Sequence, residues 1–318
     1  MTTISPYAPE QDFEEVLALW QAALGHTWPI TPQPLQNVLF GGLPGQKSDH
    51  FVARQNGRIV GFAATQVNGA AKPYGQLQAI VVLPEAHRQG IGSALYDTTL
   101  NFFHKTGCRQ VRLGGNYPRF WPGIPLNMPN LTPLLEVVKK RGWPIGQPVY
   151  DLVRSLEDYT LPDTSRRRTA SEGISLAPAT ESDTDEILAF ETREFAGWLD
   201  SFQFLISLKD HADILVARDQ KKGIVGTLSM YSPQSNPRRV DVPWKSLLGE
   251  TVGSLGEVGV ANSDRGRGIG LGLVAYGSEI LKQRGVVNNW IGYTEKVDFY
   301  QKLGYKVWQQ FEMARLDL

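Results

Sequence analysis

A glycine-rich segment that occurs twice places the strongest constraint on the fold of this chain. The two copies span residues 77–92 and 257–272, and Gly268 and Gly90 are 178 positions apart. Each copy contains a short apolar stretch, a turn with several glycines and an apolar run, a pattern that predicts a strand, a turn and a helix. The spacing holds without a gap to Gly107 and Gly285. We therefore infer an internal duplication.

The flanking sequence and the length support two domains. Residues 51–61 resemble residues 215–226, with one extra residue in the second copy. A chain of 318 residues exceeds the usual size of one domain. We expect a first domain over 1–156, a linker over 157–172 and a second domain over 173–318.

A strand, a glycine turn and a helix start together predict an anion site. The first N–H groups of such a helix lack partners, the helix dipole is positive there, and glycine lets a phosphate approach closely. Arg265 and Arg267 add positive charge at this place. A P-loop ends in Gly-Lys-Ser/Thr, whereas Gly270 is followed by Leu271-Gly272. The dinucleotide fingerprint fails from Gly268 because Leu273 stands in its third glycine position.

Composition excludes several other classes of protein. Lys plus Arg and Asp plus Glu both number 32, so no net charge draws the chain to nucleic acid or an anionic membrane. The single cysteine, Cys108, excludes an internal disulfide and a multi-cysteine metal site. No signal sequence and no apolar run of about 18 residues is present. We expect a cytoplasmic protein without metal, membrane or nucleic-acid partners.

Each half is predicted to follow the order β-α-β-β-β-α-β-α-β. Strands over 149–154 and 305–316 are expected to close the first and second halves. Residues 22–48 are rich in proline and glycine and predict turns. Residues 161–173 are predicted to be a linker, in which the three arginines 166–168 serve solubility.

Two motifs resemble those of the GNAT superfamily of acyl-CoA-dependent N-acyltransferases. Arg265-x-x-Gly268-x-Gly270 is similar to the family's pyrophosphate loop, and residues 298–305 are similar to its Phe-Tyr-Glu-Lys-x-Gly-Phe signature. The resemblance covers nearly the whole chain. It implies an α/β fold with two tandem GNAT domains. Each domain would have a mixed, mostly antiparallel central sheet with a splayed parallel strand pair and flanking helices.

The same resemblance implies acetyl-CoA as the cofactor and assigns residues to its binding. In the second half these are Val258, Val260, Arg265, Gly266, Arg267, Gly268, Ile269 and Gly270. In the first half the matching positions are Ile80, Val82, Arg88, Gln89, Gly90, Ile91, Gly92 and Ser93. His87 stands where the second half has Arg265, so the resemblance implies weaker binding in the first half.

The family's tyrosine, which protonates the departing CoA thiolate, corresponds to Tyr300. A phenol with a pKa of about 10 can protonate a desolvated thiolate whose conjugate acid has a pKa near 8.5. The aligned position in the first half is Val138. We therefore expect the second half to be catalytic and the first to be degenerate.

The general base is less well defined by the sequence. The family often places a glutamate where this chain has Ser254, and Glu257 follows three residues later, on the opposite face of a regular strand. Glu257 is the candidate; Glu250, a water chain or a residue of the other half are alternatives. The resemblance also implies that a backbone N–H near Val260 hydrogen-bonds the thioester oxygen.

Together these features predict an N-acyltransferase. The reaction would move an acetyl group to a primary amine of a small molecule by direct attack in a ternary complex. The alternative is a non-catalytic acyl-CoA sensor, which would have no need of Tyr300. The sequence leaves open the identity of the amine, the acyl-chain preference and the oligomeric state.

Overall fold

The computed structural model describes residues 1–40, 48–69 and 72–318. Residues 41–47, part of the turn-rich stretch predicted over 22–48, therefore lie outside the described residues. The described chain forms two compact units. The first contains Met1–Val149 and Gln309–Leu318, and the second contains Tyr150–Trp308.

The first unit is built from a sheet with helices packed against it. Its elements in chain order are β1 (Thr2–Pro6), α1 (Pro9–Leu24), α2 (Pro32–Phe40), β2 (Phe51–Gln55), β3 (Arg58–Asn68), β4 (Tyr74–Val82), α3 (Ile91–Lys105), β5 (Gln110–Leu113), β6 (Ile124–Pro125) and α4 (Leu131–Lys140).

The remaining elements continue the chain through the second unit and back to the first. They are β7 (Val149–Ser155), α5 (Asp163–Ser171), β8 (Ile174–Pro178), α6 (Thr184–Glu194), α7 (Leu199–Ser207), β9 (Ile214–Asp219), β10 (Gly223–Tyr231), α8 (Lys245–Leu248), β11 (Val252–Val260), α9 (Ile269–Gln283), β12 (Asn288–Thr294), α10 (Val297–Gln301), β13 (Lys306–Glu312) and β14 (Arg315–Asp317).

The two units repeat one sheet topology. The first sheet has the order β1-β2-β3-β4-β5-β14, and the matching strands of the second have the order β8-β9-β10-β11-β12-β7. Neighbours are antiparallel except for the central pairs β4–β5 and β11–β12, which are parallel. This arrangement confirms the predicted mixed, mostly antiparallel sheets of an α/β fold.

Both parallel pairs separate after three residues. In the first unit only Gly75–Leu77 of β4 pair with β5, and in the second only Val252–Ser254 of β11 pair with β12. The later residues of β4 and β11 have no parallel partner, so a cleft opens between the two strands. The splayed strand pair predicted for each half is confirmed.

The last strand of each half, expected to close that half, lies instead in the sheet of the other unit. β7 joins β12 in the second unit, with Val153 opposite Trp290, and β14 joins β5 in the first, with Leu316 opposite Val111. The division into units therefore departs from the expected boundaries at 156 and 173. Both sheets offer the same free edge, and backbone hydrogen bonding does not distinguish them.

Two segments predicted to lack regular structure contain helices. α2 occupies part of the proline-rich stretch; Pro32 and Pro34 lie in its first turn, where proline is tolerated, and Leu35 and Val38 are buried. α5 occupies the predicted linker, and its residues Ser165 and Thr169, one turn apart, are buried. These faces are too small or too polar to show the apolar period that a sequence reading uses.

An ion-pair arrangement repeats in the two units and aligns their first helices. Asp12 and Glu15 of α1 pair with Arg54, and Glu15 Oε2 accepts a hydrogen bond of 3.0 Å from the backbone N–H of Ile59. In the second unit the same roles fall to Asp183, Glu186, Arg218 and Ile224 respectively. Glu186 and Glu15 are 171 positions apart, and so are Asp183 and Asp12.

Candidate active site

A β-bulge interrupts β11 beside the cleft of the second unit. Thr227 lies opposite Gly259 and Ser229 lies opposite Gly256, so one strand advances three residues while the other advances two. Glu257 lies inside this bulge with a φ of 51°, in the left-handed region that few residues other than glycine adopt. The backbone is therefore held in an unusual conformation at the predicted base.

The bulge also decides which way Glu257 points. The Cβ direction of Gly256 leads to Ser229 Oγ at 3.1 Å, and Ser254 shares that face because no register shift separates it from Gly256. The Glu257 carboxylate accepts hydrogen bonds from Ser229 and from Ser201 of α7. Glu257 thus lies on the face of Ser254, whereas a regular strand would have put it on the opposite face.

The surroundings of Glu257 favour its protonated form. The residue as a whole is half-buried, but its carboxyl is enclosed, and this burial raises its pKa. The hydrogen bonds from Ser201 and Ser229 lower the pKa. Asp241 raises it and Arg239 lowers it through their charges.

Glu191 of α6 is a second buried carboxyl that the sequence reading missed. It is fully buried, and its Oε1 accepts a hydrogen bond of 2.7 Å from Thr227 Oγ1. Within the described part of the chain, Oε2 has no hydrogen-bond partner. Burial raises the pKa of Glu191 to about 8; the Thr227 bond lowers the pKa, and the charge of Glu257 raises it.

The sequence contained a signal for Glu191. In α6 the buried positions are Ile187, Phe190 and Glu191, spaced i, i+3 and i+4, so an acid interrupts the apolar face of an amphipathic helix. Buried carboxyl groups are rare unless they are paired or functional.

Tyr300 lies on the short helix α10 and is almost completely buried. It hydrogen-bonds with Thr294 at the end of β12, and burial raises its pKa to about 12. The neighbouring ring of Phe299 covers the start of α9, because a Cβ on Gly270 would lie 3.4 Å from its Cζ. α10 therefore packs beside the glycine loop, as the predicted role of Tyr300 requires.

The glycine loop of the second unit has the geometry of an anion site. Gly266 and Gly268 have φ angles of 84° and 82°, and Gly268 directly precedes α9. Ile269 is buried and fixes the first turn in the core. Arg265 is exposed, and its guanidinium makes no ion pair within the described residues. Backbone N–H groups and the Arg265 charge are thus available to a phosphate.

The side chain of Arg267 has a different role from the predicted one. Its guanidinium pairs with Glu172 at 3.0 Å, with Asp219 at 3.1 Å and with Asp264, and it also donates to the backbone oxygen of Glu172. These acceptors occupy four of its five N–H donors, so it holds the loop in shape. We therefore expect its side chain to contribute less to phosphate binding than that of Arg265.

Arg168 of α5 also supports the loop. It donates hydrogen bonds to the backbone oxygens of Gly266 and Arg267, at 3.4 and 3.3 Å. A Cβ on Gly268 would lie 2.8 Å from Arg168 Cγ, so only glycine fits there. Of the three arginines expected to serve solubility, one instead packs on the glycine loop.

The first unit contains a cavity of about 240 Å³ at its own cleft. Three residues predicted to bind the cofactor, Ile80, Gly92 and Ser93, line this cavity, and so does Val138, which aligns with Tyr300. The cleft thus reaches the position where the family places its proton donor, and in this unit a valine occupies it.

The first glycine loop differs from the second in its side chains. Arg88 has a φ of 60° at the position where the second loop has Gly266. Gln89 exchanges hydrogen bonds with Gln55 and the Glu85 backbone, Val82 is half-buried, and Ile91 is buried at the start of α3 after Gly90. The loop backbone is retained and Arg88 is exposed, but His87 stands where the second unit has Arg265.

Comparison with family models identifies the class of protein. The model of the acetyltransferase (GNAT) family matches residues 13–118, and that of an acetyltransferase (GNAT) domain matches residues 210–307. The two matches lie one in each half and together cover more than half of the chain. The chain belongs to the GNAT family of acyl-CoA-dependent N-acetyltransferases and carries two such domains in tandem.

Individual relatives agree with this assignment. The mycothiol acetyltransferase of Mycolicibacterium vanbaalenii is 25% identical over 79% of this chain and 74% of its own length. The solved glucosamine N-acetyltransferase region of a fungal multi-domain GH3 β-N-acetylglucosaminidase is 34% identical with a TM-score of 0.94. That match covers 99% of this chain and 38% of the other. A tandem GNAT protein from the clavulanic acid biosynthesis pathway, at 16% identity and a TM-score of 0.71, shows the same fold.

The described residues include no helix that is long and apolar enough to cross a membrane.

The raised pKa of Glu191 predicts a pH dependence of stability. The pKa of Glu191 is about 8 in the folded protein and 4.5 ordinarily, so the folded state holds this proton more tightly than the unfolded state. The protonated carboxyl therefore adds its full share to the free energy of unfolding below pH 4.5, and this share is lost as the pH rises through about 8. Glu191→Gln should remove this loss, which amounts to roughly 1.4 kcal/mol per pH unit in the titrating range. Denaturant unfolding from about pH 5 to 9 measures it. Asp185→Asn, an exposed acid on the same helix, is the control, and equal slopes in both variants would contradict the prediction.

Proposed function

We propose that the second unit transfers the acetyl group of acetyl-CoA to the primary amine of an amino sugar, by direct attack in a ternary complex. The observation that carries the choice of unit is the contrast at the two clefts. The second unit has Tyr300 and Glu257 where the first has Val138 and Ala79. The amino-sugar class is supported by 34% identity over 99% of the chain to the glucosamine N-acetyltransferase region.

The residues present in the second unit fit acetyl-CoA as the acyl donor. The N–H groups at Gly268, Ile269 and Gly270, together with Arg265, would hold its pyrophosphate at the start of α9. The separated strands β11 and β12 would receive its pantetheine arm beside Val258 and Val260. The bulge leaves a residue outside the hydrogen-bonded ladder, and a backbone N–H released there would bind the thioester oxygen as charge develops.

Glu257 and Tyr300 then serve the two proton transfers. Glu257 accepts a proton from the incoming ammonium group, because its raised pKa makes it a stronger base than an ordinary carboxylate. Tyr300 remains protonated at neutral pH with a pKa of about 12, so it is always ready to donate. The pKa of Tyr300 exceeds the pKa of a free thiol. Proton transfer from Tyr300 to sulfur therefore depends on a CoA thiolate that is itself desolvated and so more basic than a free one.

A non-catalytic acyl-CoA sensor is the alternative that Tyr300 argues against. A sensor binds and releases its ligand unchanged, so nothing in that role calls for a proton donor or a buried base near the sulfur. The buried Tyr300 and the bulged Glu257 therefore favour turnover.

The first test concerns donor binding. Acetyl-CoA should stabilise the protein by about 2.7 kcal/mol at a hundredfold excess over its Kd, and NAD and ATP should do much less. Arg265→Ala should weaken binding in the second unit by about 1.5 to 3 kcal/mol, because a charge-assisted phosphate bond is lost. The matched variant His87→Ala should do less, because it removes no guanidinium. Calorimetry would contradict the asymmetry if both variants lost equal affinity.

The second test concerns Tyr300. Tyr300→Phe removes one oxygen and keeps the ring in place, so kcat should fall by about 10²- to 10⁴-fold with little change in acetyl-CoA affinity. Tyr293→Phe, at an exposed phenol, should leave kcat near the wild-type value. Thiol release is the measurement. A normal kcat for Tyr300→Phe would refute the assignment, and loss of activity in Val138→Ala alone would move the site to the first unit.

The third test concerns the acceptor. Glucosamine should release thiol from acetyl-CoA in the presence of the protein, and N-acetylglucosamine, whose nitrogen is already acylated, should not. Mass spectrometry of the sugar product should show one added acetyl group. Thermal stabilisation by acetyl-CoA without turnover of glucosamine or any other amine would instead support the sensor.

A further inference from the structure

The two units differ at a buried position that neither the cofactor loop nor the proton donor explains. The offset of 171 between α1 and α6 places Glu191 where the first unit has Trp20. Trp20 is fully buried and donates a hydrogen bond of 2.7 Å to the Trp28 backbone. The fold of this unit is therefore compatible with an apolar ring at that position, and a carboxyl is not a requirement of the architecture.

Two residues that interact with Glu191 are likewise polar in the second unit and apolar at the corresponding positions of the first. Ile224 and Ile59 are 165 positions apart, so Thr227, the hydrogen-bond partner of Glu191, corresponds to the buried Phe62. At the spacing of 178, Glu257 corresponds to Ala79. Three neighbouring positions are thus apolar in one unit and polar in the other.

A buried carboxyl with an unpaired oxygen destabilises the fold. Burying a polar group without a full set of hydrogen bonds costs free energy, and Glu191 Oε2 is such a group. Nothing in the packing of the second unit offsets this cost, because no cation pairs with Glu191 within the described residues. A cost of this kind is typical of functional positions.

The hydrogen bonds of the two carboxyls bring them to one surface. Glu191 is bonded to Thr227 and Glu257 to Ser229, and these two residues are two positions apart on β10. Side chains at this spacing share a face of a strand, about 7 Å apart along it. The bulge turns Glu257 to the same face, and its charge acts on Glu191.

We propose that Glu191 is a positioning residue of the acceptor site, which acts through Glu257 by forming with it a two-carboxyl group that takes up the proton released by the acceptor amine. This inference rests on the proposed function of the second unit. Two carboxyls whose charges interact do not ionise independently, so the pair holds one proton more readily than a single carboxylate would. The charge of Glu257 raises the pKa of Glu191, so the pair is a stronger base than Glu257 alone.

The protons and bonds of the step balance as follows. The nitrogen–carbon bond forms, the carbon–sulfur bond breaks, and the ammonium nitrogen gives up two protons in total. One is taken up by the carboxyl pair and passes to water. The other restores the Tyr300 phenol after its own proton has moved to sulfur. The products are the N-acetyl sugar, free thiol and one proton.

Glu191→Gln tests the proposal because it preserves the size of the side chain and the acceptor for Thr227. With acetyl-CoA and glucosamine, kcat should fall at least tenfold. The acidic limb of the kcat/KM profile should move to lower pH by about one unit, because a carboxyl pair in which one member has a pKa of about 8 is replaced by the single carboxyl of Glu257. The KM for acetyl-CoA should not change. Asp241 and Arg239, which also act on Glu257, remain in place, and Asp185→Asn is the control.

A purely structural role for Glu191 would produce a different result. Stability would change, but the pH profile of Glu191→Gln would coincide with that of the wild type, and this outcome would overturn the proposal. The conservative variant Glu191→Asp should return the pH profile part of the way to that of the wild type, because it returns an ionisable carboxyl to this position.

A second measurement keeps the proposal testable without turnover. Carbon-13 NMR of labelled glutamate carboxyls follows each titration, and Glu257→Gln identifies the Glu257 signal. In Glu191→Gln the Glu257 carboxyl should titrate at lower pH than in the wild type. An unchanged Glu257 titration would refute the coupling whether or not glucosamine is acetylated. If glucosamine is not a substrate, the amino-sugar proposal fails separately from this one.

Discussion

The separation of one parallel strand pair determines the architecture of each cleft. β11 and β12 pair only from Val252 to Ser254, after which β11 continues without a parallel neighbour. The glycine loop follows the free end of β11, and α9 begins there. The bulge with Glu257 lies on the free part of the same strand. Beyond the separation, the β11 backbone groups that face β12 are not paired with that strand, whereas those on the other edge pair with β10. This cleft can therefore bind an extended ligand through its main chain.

Duplication gave two copies of this cleft with different chemistry. Both units keep the loop, the following helix and the ion pairs that hold the first helix against the hairpin. Among the described residues, the second unit combines Arg265, Tyr300 and the carboxyls of Glu191 and Glu257. A structural framework can be shared because it depends on backbone geometry and packing. The proposed catalysis depends on a few side chains, and the first unit has Trp20, Ala79 and Val138 at the corresponding positions.

Local sequence predicted the loop and its helix because each glycine has a local cause. Gly268 and Gly90 both have positive φ angles, which favour glycine directly before the helix in each unit, and Gly266 adds a second such position in the second unit. The duplication then made the spacing visible. The same approach predicted the order of strands and helices along each half. Most neighbours in the two sheets are also neighbours along the chain.

The features that sequence did not predict depend on distant residues. Exchange of β7 and β14 is a choice between two similar sheet edges, which no local pattern encodes. The side on which Glu257 lies follows from a bulge against Thr227 and Ser229, thirty residues away, and the alternation of a regular strand gives the wrong answer. Glu191 is recognisable as a candidate only from its contacts with distant residues, which are the hydrogen bond from Thr227 of β10 and the charge of Glu257 on β11.

Arg267 shows that a positively charged side chain in a binding loop can pair with carboxylates of the protein itself and need not contact the ligand. Its guanidinium is surrounded by Glu172, Asp219 and Asp264, and Arg168 donates to the loop from α5. These contacts fix the loop before a ligand arrives, so less conformational entropy is lost on binding. They also cancel the charge of Arg267 locally. Arg265 is then the loop arginine whose exposed guanidinium makes no ion pair with the described residues. The proposed attraction for a phosphate rests on it together with the N–H groups of the loop.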